Sequence, residues 1–316
     1  MSLWLLLVSV LRWSPGAPAR TTSYTGADDA AERAVFSSTS GVAFNYDGTF
    51  HEPAPGEERA GSDDSVASRV ATAGLRLSSV LRYDAVEGIL RSADLLEAED
   101  LWVKPNKPML LQGWWDDKGA QRGLLRTGAN ASDPLTQLVR LFMLRRSAHA
   151  DVVRDAVGGN DTLNVLLELG VLYPVSDIAG VKSGNPQLLA SSVQLFPLRG
   201  PASRTTPITP RDLLVATDWH RRRPQAEAAA AVMTIGSDSQ ALAAWLRSAP
   251  CPSSPGRTTQ LLDLCTGSGV QAIVLGRRCP AAKLTLVDKS LRALRFARFN
   301  LLLNGELRRA TPMRSL

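Results

Sequence analysis

The chain has 316 residues, an apolar share of 44% and a net charge of +6, which allows a sizeable core and about two domains. Three cysteines, Cys251, Cys265 and Cys279, give neither an even disulfide framework nor the paired spacing of a metal site. We therefore predict free thiols and no metal centre. No apolar run approaches the roughly 20 residues that a membrane helix needs, so we predict no stable membrane span.

The first 74 residues are predicted to be a disordered or targeting segment. The apolar run at residues 3–11 could be the core of a secretory signal, while the absence of acids before Asp28 also suits an organelle transit peptide. Residues 47–68 are rich in Gly, Pro, Ser, Asp and Glu, a composition typical of disorder. A targeting segment and a wrongly assigned start are the two alternatives, and we expect a cytoplasmic or organellar protein.

Residues 75–200 are predicted to form a mainly helical, winged-helix-like domain. Apolar periodicity predicts helices beginning near Asp84, Leu135, Asp151 and Asp161, the first of them through a capping box, and the last ending at Gly170. Two apolar stretches, residues 171–175 and 193–198, then read as a hairpin. This fold often binds nucleic acid through its last helix. That helix lacks Lys and Arg between residues 162 and 169, which favours a packing or substrate-presenting role.

A Pro/Thr-rich linker at residues 201–210 is predicted to lead into a second domain, residues 211–316. This domain opens with the apolar strand at residues 213–217, after which Asp218 and Trp219 are expected near a ligand site. Ser237 or Asp238 is a suitable N-cap for the following helix. The apolar stripe of that helix is predicted to consist of Ala241, Leu242 and Trp245.

Residues 261–288 carry the most specific pattern in the chain. A buried strand at residues 261–264 leads through two glycines into a helix at about residues 270–278, and a second strand ends at Asp288. Gly267 and Gly269 lack a Cβ, so the backbone can turn sharply and a ligand can approach it closely. The helix directs free N–H groups and its positive dipole end at that ligand. Asp288 lies where a carboxylate accepts hydrogen bonds from ribose hydroxyls in nucleotide-binding βαβ units.

Two ligand classes compete for this pattern. Gly267-x-Gly269-x-x-Ala272 satisfies a weak form of the dinucleotide fingerprint. Asp263, at the mouth of the first strand, would repel a pyrophosphate but suits a ligand with cationic sulfonium and ammonium groups. The stretch from Asp263 to Gly269 resembles motif I of the class I S-adenosylmethionine-dependent methyltransferases, and Asp288 resembles their acidic ribose-binding position.

The resemblance implies an α/β, Rossmann-like fold and S-adenosylmethionine as the cofactor. The implied cofactor-binding residues are Asp263, Thr266, Gly267, Gly269 and Asp288. Residues 292–305 resemble the next helix of the small-methyltransferase-domain branch. Residues 134–144 and 212–218 loosely resemble actinobacterial-type methyltransferases with an N-terminal winged-helix-like domain.

The branch that methylates amide or exocyclic amino nitrogens carries an Asn/Asp-Pro-Pro-Tyr/Phe motif after its fourth strand. This chain has no such motif before Leu316. We therefore expect a C-terminally truncated enzyme with only the first βαβα part of the fold, and we nominate no catalytic residue.

By resemblance, the function is methyl transfer to a nitrogen of a nucleic-acid base or of a protein side-chain amide. The positive net charge and the arginines near the carboxyl end slightly favour nucleic acid as the partner. One alternative is a non-catalytic remnant or binding module. The second is an NAD(P)- or FAD-dependent oxidoreductase.

Overall fold

A computed structural model describes residues 63–86, 133–175, 188–199, 212–219, 232, 235–251 and 259–307. Its elements in chain order are α1 (Asp63–Val80), α2 (Pro134–Phe142), β1 (Ala148–His149), α3 (Ala150–Ala156), α4 (Asn160–Glu168), β2 (Leu172–Pro174), β3 (Leu188–Ser191), β4 (Gln194–Leu198), β5 (Leu213–Thr217), α5 (Ser237–Ser248), β6 (Gln260–Leu264), α6 (Val270–Arg278), β7 (Lys283–Val287) and α7 (Leu291–Leu303). The predicted targeting segment, the linker and most of the helix predicted from Asp84 lie outside the described residues.

Helix α1 was missed by sequence reading. Val70, Ala73 and Leu77 follow each other at helical spacing and are buried. Residues 63–74 are therefore helical, and the prediction of a disordered or targeting segment up to residue 74 is wrong for this stretch. Disorder was predicted because the helix begins within a polar, Ser- and Asp-rich sequence, and its burial depends on contacts with distant elements.

The helices predicted from Leu135, Asp151 and Asp161 are confirmed as α2, α3 and α4. Asp133 caps α2 by accepting a hydrogen bond from the backbone N–H of Thr136 at 2.8 Å. Strands β1, β3 and β2 form an antiparallel sheet in that order. Helix α1 packs across α4, where the Arg69 guanidinium donates two hydrogen bonds to the Glu168 carboxylate.

The predicted hairpin is wrong in its pairing. Strand β2 pairs with β3, an element that the sequence did not reveal, and β4 pairs with β5 along its whole length. Every residue of β4 and β5 is buried, so these strands lack the polar face of a surface hairpin. The two strands therefore pair within the core, although they lie on opposite sides of the predicted linker.

Strands β6 and β7 are parallel, with Gln260 opposite Lys283 and Leu264 opposite Val287. Helix α6 connects them, so the predicted strand–helix–strand unit is confirmed. A mixed α/β arrangement of this kind fits a Rossmann-like fold. In the described part of the chain, no helix is both long and apolar enough to cross a membrane.

Two expectations about helix α5 are wrong. Its N-cap is Gly236 in an extended conformation, so the helix begins at Ser237 and neither Ser237 nor Asp238 is the capping residue. Trp245 is 59% exposed, and Ala243 and Leu246 are buried in its place. The alanines of α5 do not indicate which face of the helix is buried. The prediction therefore relied on the large Trp245, which assigned the buried face to the wrong side of the helix.

Cys251 and Cys279 form a disulfide with a Cα–Cα distance of 5.6 Å. The prediction of free thiols is therefore wrong for these two residues, whereas Cys265 is free and exposed. Helices α5 and α6 pack side by side, so the chain segments that follow them come together. A separation of 28 residues in sequence does not reveal this proximity.

Candidate functional site

The loop between β6 and α6 reverses direction through three residues with positive φ. These are Cys265 at 56°, Gly267 at 54° and Gly269 at 79°, the last being the N-cap of α6. The backbone N–H of Thr266 donates to the Val287 carbonyl at 3.1 Å, and the N–H of Gly269 donates to the Thr266 carbonyl at 2.8 Å. The loop is therefore fixed to the carboxyl end of β7.

The two loop glycines have different surroundings. A Cβ added at Gly269 would lie 3.0 Å from the Cβ of Ala297, so helix α7 requires a glycine at this position. A Cβ added at Gly267 would meet no atom closer than the Cys265 carbonyl oxygen at 4.0 Å. The backbone at Gly267 is consequently the open part of the loop, where a ligand can approach.

Asp263 is half-buried at the end of β6, beneath the loop. Its carboxylate accepts a hydrogen bond from the Thr266 hydroxyl at 2.7 Å and another from the backbone N–H of Ala272 in the first turn of α6. Burial raises the pKa of Asp263 from 3.8 to about 6. The two hydrogen bonds oppose this increase, and the negative charge of Asp288 adds to it.

Asp288 connects the end of β7 to the loop. One carboxylate oxygen accepts from the backbone N–H of Gly267 at 2.9 Å, and the other accepts from the N–H of Ser290 at 2.9 Å. Ser290 in turn caps α7 by accepting from the N–H of Ala293. Each carboxylate oxygen has two lone pairs, so Asp288 can accept further hydrogen bonds from a ligand.

The five predicted cofactor-binding residues thus lie together at the carboxyl ends of β6 and β7. Open α/β sheets bind ligands at this edge. The group consists of Asp263, Thr266, Gly267, Gly269 and Asp288.

Arg292, in the first turn of α7, is a residue of this region that sequence reasoning missed. Its Nε donates to the Asp218 carboxylate at 2.8 Å, and its Nη2 contacts the other oxygen of that carboxylate. Asp218 is 1% exposed and also accepts from the backbone N–H of Val232. Asp218 therefore lies beside the start of α7, whereas the Trp219 indole N–H donates to the Ser191 carbonyl of β3.

Asn300 was missed as well. It is fully buried on α7, and its Nδ2 donates to the Ser268 carbonyl of the loop at 2.8 Å. The available signal was an asparagine in a largely apolar helix. A buried carboxamide needs hydrogen-bond partners, so such a residue predicts a contact without identifying it.

A family model described as methyltransferase small domain matches residues 234–311. This range contains α5 to α7, and therefore the whole loop with Asp263 and Asp288. The match supports a class I methyltransferase domain in this part of the chain. No curated protein matches the chain.

Proposed function

We propose that the chain binds S-adenosylmethionine at the carboxyl ends of β6 and β7 and supports methyl transfer to a nitrogen acceptor. One observation carries the proposal. The Asp288 carboxylate follows β7 and bonds the open backbone of Gly267, within the range that matches the methyltransferase model. A carboxylate in this position can accept hydrogen bonds from ribose hydroxyls, and the glycine allows a ligand to approach the loop backbone closely.

The residues of the site fit this cofactor. Asp288 would accept hydrogen bonds from the ribose hydroxyls, and Gly267 leaves room above the loop. Asp263, oriented by the Thr266 hydroxyl, would face the cationic methionine end directly or through water. S-adenosylmethionine supplies an electrophilic methyl group on sulfur, and catalysis of its transfer relies mostly on positioning and desolvation.

Calorimetry with the full chain tests the ligand. S-adenosylmethionine or S-adenosylhomocysteine should bind, and NAD should not. Asp288→Ala should weaken binding by about 1–3 kcal/mol, or about 5- to 150-fold, because hydrogen-bond partners lose their acceptor. Asp151→Ala removes a carboxylate that is 79% exposed on α3 and should leave affinity unchanged. Tight NAD binding without a response to the sulfonium ligand would favour the oxidoreductase alternative.

For the methyl acceptor we favour a nucleic-acid base over a protein side-chain amide, because the chain carries a net charge of +6. Nucleic-acid affinity should then fall steeply between about 50 and 200 mM salt as counterions are released. Absent or salt-independent binding would point to a protein or small-molecule acceptor. Cofactor binding without transfer to either class would favour a binding module.

We also propose that the described residues 133–175 and 188–191 belong to a winged-helix-like unit. The order α2, β1, α3, α4, β2, β3 and the antiparallel sheet order β1–β3–β2 support this assignment. Helix α4 is the last helix among the described residues of the unit, and α1 packs against it through Arg69–Glu168 and a hydrogen bond from Arg76 to Thr162. Any nucleic-acid contact would therefore use a surface other than the α1-facing side of α4.

A further inference from the structure

The edge of β5 that faces α7 is paired with two side-chain amides. Asn300 and Asn304 lie one helical turn apart and are 0% and 4% exposed. The backbone N–H groups of Ala216 and Leu214 donate to their Oδ1 atoms at 2.7 and 3.0 Å. In return, the Nδ2 of Asn300 donates to the Ala216 carbonyl at 2.9 Å, and the Nδ2 of Asn304 donates to the Leu214 carbonyl at 2.7 Å. The two carboxamides thus satisfy the strand edge as a neighbouring strand would.

The second hydrogen bond donated by each carboxamide distinguishes the two asparagines. Asn300 donates to the Ser268 carbonyl at 2.8 Å, whereas Asn304 donates to the Asn300 carbonyl within its own helix at 2.8 Å. Ser268 lies between Gly267 and Gly269 in the loop. The Asn300 carboxamide therefore bonds both β5 and the loop, while the Asn304 carboxamide bonds β5 and the backbone of α7.

Helix α7 also contacts the loop one turn before Asn300. Ala297 lies against Gly269, where an added Cβ would be only 3.0 Å from the Ala297 Cβ. The loop is thus fixed to α7 by one close packing contact and one hydrogen bond. Because Ser268 is 6% exposed, water is poorly placed to replace the Asn300 donor. Loss of that donor would leave a largely buried carbonyl unpaired, which favours another loop conformation.

We propose that Asn300 is a positioning residue for cofactor binding. It holds the loop around Ser268 in register with strand β5 and makes no contact with the cofactor itself. This inference rests on the proposed function. Its consequence is that cofactor affinity depends on the hydrogen bond from Asn300 to Ser268, and not on the docking of β5 against α7 as such.

Asn300→Leu and Asn304→Leu in the full chain form a matched pair. Each substitution keeps the branched shape and the number of side-chain heavy atoms, and removes one accepted and two donated hydrogen bonds. Urea unfolding should show similar destabilisation of both variants. Calorimetry should show S-adenosylhomocysteine binding weakened about tenfold or more by Asn300→Leu, and changed by less than about twofold by Asn304→Leu. A purely structural role of Asn300 would not produce this difference.

Equal weakening in both variants, or in neither, overturns the inference and leaves the proposed function in place. Failure of the unmodified chain to bind S-adenosylhomocysteine overturns both. If the leucine variants do not fold, Asn300→Ala and Asn304→Ala provide the same comparison, since alanine removes the same three hydrogen bonds without adding volume or charge. Amide hydrogen exchange at Gly267 and Gly269 should accelerate only in the Asn300 variants, and unchanged exchange there would contradict the role.

Discussion

Asp263→Asn should stabilise the protein at neutral pH. The folded chain binds a proton at Asp263 more tightly than the unfolded chain, because its pKa rises from 3.8 to about 6 on burial beneath the loop. At about 1.4 kcal/mol per pKa unit, ionisation of this carboxyl costs the folded state at most about 3 kcal/mol, since residual solvent contact reduces the penalty. This penalty is absent at low pH, grows as the pH rises from about 4 to about 6, and is constant above that window.

Asparagine retains an oxygen that can accept from the Thr266 hydroxyl and the Ala272 N–H, but it carries no charge. Urea unfolding between about pH 4 and pH 8 should therefore show a stability advantage of the variant that increases through the window to at most about 3 kcal/mol. Asp161→Asn, at a side chain that is 90% exposed, is the control and should show no such increase. A pH-independent difference, or a variant less stable than the unmodified chain at neutral pH, would refute the reasoning.

Two further predictions concern buried linkages. Asp218→Ala should destabilise the fold by about 3–5 kcal/mol, because it leaves Arg292 partly buried without its carboxylate. The exposed Asp84→Ala should cost less than about 1 kcal/mol in the same urea assay, and equal losses would contradict the argument from burial. Non-reducing mass spectrometry should find one free thiol per chain, and serine at both Cys251 and Cys279 should lower stability by about 3–4 kcal/mol. Alkylation of all three cysteines in the folded chain would refute the disulfide.

The strand–loop–helix–strand unit was predictable because its determinants are local. Apolar strands, two glycines and a helix follow each other within 28 residues, from Leu261 to Asp288. Asp263 is the penultimate residue of β6 and Asp288 follows β7, so both lie at the same edge of the sheet. The distinction between the glycines was not predictable. The neighbour that requires Gly269 is Ala297, which lies 28 positions further along the chain.

Elements stabilised by distant contacts were missed or misplaced for the same reason. The amino-terminal turns of α1 read as disordered, although Gly74 lies so close to α7 that an added Cβ would be 1.9 Å from the Leu303 carbonyl oxygen. The disulfide joins the segments after α5 and α6, which meet only because those helices pack together. Neither the contact of Gly74 with α7 nor the disulfide can be predicted from composition, because both depend on which helices pack together.

Helix α7 shows how far sequence reading could have gone. Polar side chains in a mostly buried helix are costly unless they are paired, so Arg292, Asn300 and Asn304 each predict a partner. Their partners are Asp218, Ala216 and Leu214, respectively, so the residue numbers fall along β5 as they rise along α7. The strand therefore runs antiparallel to the helix. Since Asn300 also bonds the loop, one of the two residues that dock β5 also holds the proposed cofactor site.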